Sequence, residues 1–155
     1  MTDVVDEWGI LDTAKMAAQI NAAFAVRPAS NVAVVDVTSA QLKACHTTPV
    51  ELVPAPGDGK FIAVDWFCIE YTRSSTSYAG GAAACSLFYG GGVSLNATGW
   101  LNQGASQIFS GYLAAATVPR NNRENLALTL SSSANPTNGD GTVRVTVSSH
   151  VVDLA

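Results

Sequence analysis

The sequence is short of charge. Only 13% of its 155 residues are Asp, Glu, Lys or Arg, about half the share usual in a soluble domain. Hydrophobic residues make up 48%, which excludes intrinsic disorder for the chain as a whole and predicts a single domain with a substantial core. Lys and Arg together number 8 and form no basic patch. A nucleic-acid partner is therefore not expected, because binding phosphates requires concentrated cationic surface. The nearest basic pair, Arg120 and Arg123, falls in a segment with the composition of a solvated loop.

Cysteine is scarce too. Cys45, Cys68 and Cys85 are odd in number, none is in a Cys-x-x-Cys pair, and Cys68 and Cys85 sit inside apolar runs, so buried free thiols are expected rather than a disulfide framework. His46 beside Cys45 has no further ligand in register for zinc, and no metal or other cofactor is expected. No apolar run approaches the roughly 20 residues a membrane helix requires, so no membrane partner is expected either. The first residues are acidic where a secretory signal would be basic, which points to synthesis in a reducing cytoplasm.

The scarcity of histidine bears on catalysis. The only two are His46 and His150, neither accompanied by a nucleophile elbow, although Asp153 lies three residues beyond His150. Asp65 and Glu70 could be paired carboxylates on a strand, but an odd offset sends them to opposite faces unless a bulge intervenes. Asp65 interrupts an apolar run and is expected to have a structural partner. The glycine pairs and triplets at 80–81 and 90–92 lack the Lys and helix of a phosphate loop. Asn135 to Asp140 is oxygen-rich without a calcium loop's closing Glu. No enzyme activity is expected.

What is present divides at about residue 28. Asp3, Asp6, Glu7 and Asp12 stand without a base in the first twelve residues, and the rest of the chain carries as many acids as bases. Residues 13–25 have helical spacing, with Asp12 as a cap, Met16, Ile20, Ala23 and Phe24 on one narrow apolar stripe, and Arg27-Pro28 as the stop. Preceded by Trp8, Ile10 and Leu11, this reads as an arm plus one short α-helix, and its apolar residues as docking contacts.

The β-sandwich domain is expected over 29–155, and from Asn31 the period becomes two. Strands are expected near 32–38, 50–53, 60–72, 84–89, 106–113, 125–131 and 142–152, with a single helical turn capped by Ser39 after the first. The run Lys60 to Thr72 is apolar at both parities and reads as a central strand covered on both faces. Asn138-Gly139-Asp140-Gly141 carries a hairpin signature and predicts antiparallel pairing of the last two of these strands. The fold class is all-β, an antiparallel β-sandwich, jelly-roll-like rather than immunoglobulin-like because the Cys…Trp…Cys core pattern is missing.

One stretch is more specific. TSAQLKACHTTPVELVPAPGDGK, from Thr38 to Lys60, followed by a hydrophobic strand and later by Tyr78-Ala-Gly-Gly and Leu87-Phe-Tyr-Gly, resembles small structural proteins of tailed-bacteriophage virions, over roughly residues 32–92. The resemblance implies a β-sandwich of the virion, of the capsid decoration (cement) type or a tail or fibre component. On the decoration reading the partners are the major capsid protein and further copies of this chain, as a homotrimer on the capsid exterior. Trp8, Ile10, Leu11, Met16, Ile20 and Phe24 would then reach the capsid or a neighbouring subunit. The alternative is a carbohydrate-binding fibre module stacking sugars on Trp100 or Tyr78, or on Trp66, Tyr71 or Tyr89.

Overall fold

The structure is a computed structural model and describes Met16, Ala18 and residues 29–90, 93–95, 98–112 and 122–154. Most of the arm and helix expected over 1–28 lies outside the described residues. Met16 and Ala18 are both helical, the first half-buried and the second exposed.

Among the described residues ten strands, β1 to β10, follow in chain order: Asn31–Val37, Val50–Val53, Lys60–Thr72, Tyr78–Gly80, Ser86–Tyr89, Val93–Ser94, Gln107–Gly111, Leu128–Ser131, Pro136–Asn138 and Thr142–Asp153. A short helix, α1 (Ser39–Ala44), follows β1, and a 3-10 turn (Gly81–Ala84) precedes β5. Eight strands form two four-stranded sheets, ordered β1-β10-β3-β7 and β2-β8-β5-β6, and all their pairings are antiparallel. In chain order the sandwich strands cross from one sheet to the other except at the β5-β6 hairpin, which lies within the second sheet, and these two strand orders are jelly-roll-like. The remaining two, β4 and β9, pair with each other at one end.

The core lies between the sheets. Val143, Val145, Val147, Ile69 and Tyr71 from the first meet Leu128, Leu130, Leu87 and Tyr89 from the second. Tyr89 also ties the layers with a hydrogen bond, its hydroxyl donating to the Ile62 carbonyl at 2.6 Å. Leu95, Trp100 and Leu101 complete the core from the connection between β6 and β7.

Three local expectations are corrected. The cap of α1 is Thr38, not Ser39: its hydroxyl accepts from the Gln41 amide, and Gln41 reaches back to the Thr38 amide in a capping box. The turn at Asn138 and Gly139 forms, both residues having positive φ (55° and 66°), but it does not pair β8 with β10. Those strands belong to different sheets, and the turn instead joins β9, which lies against β4, to β10. A turn motif specifies a reversal of direction, whereas strand partners are chosen by burial, and Leu128 and Leu130 are wholly buried in the second sheet.

The third correction concerns β3, which is not covered on both faces. Its buried residues run Ile62, Val64, then Phe67, Ile69, Tyr71, so the buried parity switches midway. The cause is a β-bulge: Ser148 pairs with Trp66 and the adjacent Ser149 with Val64, leaving Asp65 as the extra residue. Each half of the strand has one inner and one outer face, and the bulge lets both halves bury their apolar sets.

Candidate interaction surface

The outer face of the first sheet follows from its register. One row across it is Val32, Ser148 and Trp66; the next is Val34, Thr146, Cys68 and Ser110; the third is Asp36, Arg144, Glu70 and Ile108. Asp36 takes two hydrogen bonds from the Arg144 guanidinium, at 2.7 and 3.2 Å, and these hold its carboxyl below the ordinary carboxylate range. With the charges gathered in that third row, the first two carry only apolar and hydroxyl-bearing side chains and one thiol. Exposure of the large apolar residues here and just beyond β7 runs from 38% at Trp66 through 57% at Val34 and 61% at Val32 to 82% at Tyr112. Exposed large apolar side chains grouped on one uncharged stretch of a sheet face are the mark of an interaction surface.

The bulge borders this face. Asp65 Oδ2 accepts from Ser30 Oγ at 2.8 Å and its Oδ1 lies 2.9 Å from His150 Nδ1; Ser148 Oγ is 3.5 Å away. The structural partner expected for Asp65 is therefore present. Because the bulge changes parity, Asp65 and Glu70 do lie on the same outer side, correcting the opposite-face expectation, but five residues of strand separate them by roughly 15 Å. Glycosidase carboxyl pairs stand about 5 to 9.5 Å apart. The other acid considered for His150, Asp153, instead lies 3.5 Å from the Lys60 ammonium.

Four of the five aromatic residues expected to stack on sugars are elsewhere. Trp100 is 1% exposed and Tyr78 2%, and Tyr71 and Tyr89 are buried as well, so none offers a ring face. Trp100 follows a glycine in a loop, which suggested exposure; its neighbour Leu101 and nearby Leu95 are the overlooked sign that this loop folds inward. Tyr78 instead donates its hydroxyl to the Gly141 carbonyl at 2.7 Å. Among these candidates Trp66 alone is exposed. Arg123, expected to be solvated, lies 5.4 Å from the centre of the Tyr89 ring as a cation–π partner.

Several other chemistry-bearing groups are engaged in the fold. His46 donates from Nδ1 to the Ser132 carbonyl at 2.8 Å, and Asn135 Oδ1 accepts from the His46 and Thr47 amides. Asp140 accepts from the Ser75 hydroxyl and from the Thr76 and Ser75 amides, and these hold its carboxyl below the ordinary range. Cys45 and Cys85 are buried and all three thiols are free. Cys85 is hydrogen-bonded to Cys45, and this contact with burial pushes its thiol strongly upward. Among the described residues no helix is long and apolar enough to cross a membrane. Of the arm residues expected to contact a partner, Trp8, Ile10, Leu11, Ile20 and Phe24 lie outside the described residues.

No protein-family profile and no curated protein matches the sequence. Among solved structures the chain is similar to one described as the cyanophage Pam1 capsid asymmetric unit, with 18% identity, a TM-score of 0.49, and 81% of this chain and 86% of that chain covered. The jelly-roll-like assignment rests on the strand orders and not on this likeness.

Proposed function

We propose that this chain is a non-enzymatic structural protein of a tailed-phage virion, decorating and stabilising the capsid through contacts with the major capsid protein and with its own copies. The observation that carries the reading is the bare face of the first sheet, where Val32, Val34 and Trp66 present apolar surface with no charge in their two rows. Such a face suits repeated close packing, because covering it desolvates no unpaired ion. The resemblance of the Thr38 to Lys60 segment to virion proteins supports the same reading. The arm, with Trp8, Ile10 and Leu11 at its head and Met16, Ile20 and Phe24 along its stripe, is the proposed reach between one subunit and the next, in a trimer on the capsid exterior.

The test is co-sedimentation of the full chain with capsids of the encoding phage assembled without it. Saturable binding at a fixed ratio to the major capsid protein is expected, together with capsids that withstand higher temperature. If the protein stays in the supernatant at micromolar concentrations while binding an immobilised host glycan, the decoration reading is wrong and the fibre module takes its place.

A further inference from the structure

The bare face of β1-β10-β3-β7 has a shape as well as a chemistry. Four strands spaced about 4.8 Å apart make it roughly 19 Å wide, and its apolar part covers on the order of 400 Å². That is about half the area per partner that a standard protein interface buries, so two such faces stacked on each other would make a poor dimer. It does match one short helix. The 13–25 segment would be about 20 Å long at 1.5 Å per residue, with a single stripe of Met16, Ile20 and Phe24. Met16 is helical and half-buried, while Ala18, most of a half-turn away around the helix, is exposed, as a one-sided stripe requires.

The attachment point bears on whose helix it is. β1 is an edge strand, so the chain enters the sheet at its margin, and Ser30 is held there by Asp65. Pro28 disfavours helical backbone at Arg27, so an extended connector is expected to lead away from β1 before the stripe begins. Phe24 is six residues from Ser30, a reach of at most about 20 Å. On this face Val32 is 61% exposed. We propose that the helical stripe Met16, Ile20 and Phe24 of one copy seats on the outer sheet face of a second copy, over Val32, Val34, Trp66 and Cys68. This rests on the reading of the protein as a multi-copy virion component and names the surface through which its copies join.

Cys68 makes the proposal readable, since it lies half-buried on the receiving face while Cys45 and Cys85 are buried. In the full chain carrying Ile20→Cys, a short bis-maleimide is expected to join position 20 of one chain to Cys68 of another, giving covalent oligomers whose yield rises with concentration. A link formed within one chain, or no link to Cys68 at micromolar concentrations, overturns the proposal. Val34→Lys, at an exposed position, should leave the thermal midpoint unchanged and weaken self-association about tenfold by light scattering. An unchanged oligomer mass would also overturn it. Capsid co-sedimentation separates the two readings: normal capsid binding without cross-links removes this inference alone, and cross-linked oligomers that ignore capsids remove the decoration function alone.

Discussion

His150 Nδ1 lies 2.9 Å from Asp65 Oδ1, and the carboxylate belongs to the one residue of β3 that has no partner on β10. The bulge and the hydrogen-bond geometry explain each other. An extra residue must put its side chain somewhere, and here it turns a carboxylate toward Ser30 and His150 at the margin of the outer face. Its consequence reaches the whole strand, because Ile62 and Val64 can face the core from one parity and Phe67, Ile69 and Tyr71 from the other.

Asp65→Ala should therefore destabilise the fold by about 1 to 3 kcal/mol, through the donors left without their acceptor. Asp65→Asn retains an acceptor oxygen and should cost less. Chemical denaturation of the full chain checks the order, and equal stability of all three proteins would show that the bulge does not depend on the carboxylate.

Tyr71 and Tyr78 pack at 6.2 Å between ring centres, yet their hydroxyls differ. That of Tyr78 donates to the Gly141 carbonyl, and that of Tyr71 is buried without a partner. Tyr78→Phe should lose about 1 kcal/mol, and Tyr71→Phe should be neutral or stabilising, since it removes a desolvated group that gains nothing. Thermal midpoints measured side by side decide this, and a larger loss at Tyr71 would contradict it.

Gly139 has φ +66°, and a Cβ there would stand 2.3 Å from the Tyr78 ring. Gly139→Ala combines backbone strain with a clash against a fixed buried ring, and a loss of about 3 kcal/mol or more is expected. Gly104 has open space around it, so Gly104→Ala serves as the control and should change stability by less than about 0.5 kcal/mol. Urea midpoints of the two variants give the comparison.

Acid stability should depend on Asp36 and Asp140, whose carboxyls are lowered from 3.8 by hydrogen bonds from Arg144 and from the Ser75–Thr76 segment respectively. A depressed folded-state pKa contributes stability that is complete above the unfolded value and disappears as pH falls through the folded one. The contribution is thus present at pH 5 and lost progressively below about pH 4. In Asp140→Asn the urea midpoint should fall less steeply with acid over that window than in the parent protein, and parallel curves would refute the assignment.

Much of this molecule was legible in one dimension. Alternation at Val143, Val145 and Val147 and at Leu128 and Leu130 marks strands with one buried face, and seven of the ten strands lie where period-two patterning puts them. The three not anticipated, β4, β6 and β9, are two or three residues long, too short for a period to show. Period-two patterning pointed to an antiparallel sandwich and the missing Cys…Trp…Cys pattern to a jelly-roll-like one, because periodicity and composition are local properties that each segment carries by itself.

Tertiary structure alone decided which strands are neighbours and which aromatic rings are buried. The Asn138-Gly139 turn reverses the chain whatever it is joined to, but β9 lies against β4 because that arrangement seats Tyr78 on Gly141. Trp100 reads as an exposed loop residue until Leu95 and Leu101 carry it into the core. The outer face also exists only in the folded sheet: Val32, Trp66 and Ile108 are far apart along the chain and share a surface because strand register and the bulge at Asp65 turn them to the same side. Sequence determines what each segment prefers locally; burial, a property of the whole fold, determines which of those preferences meet.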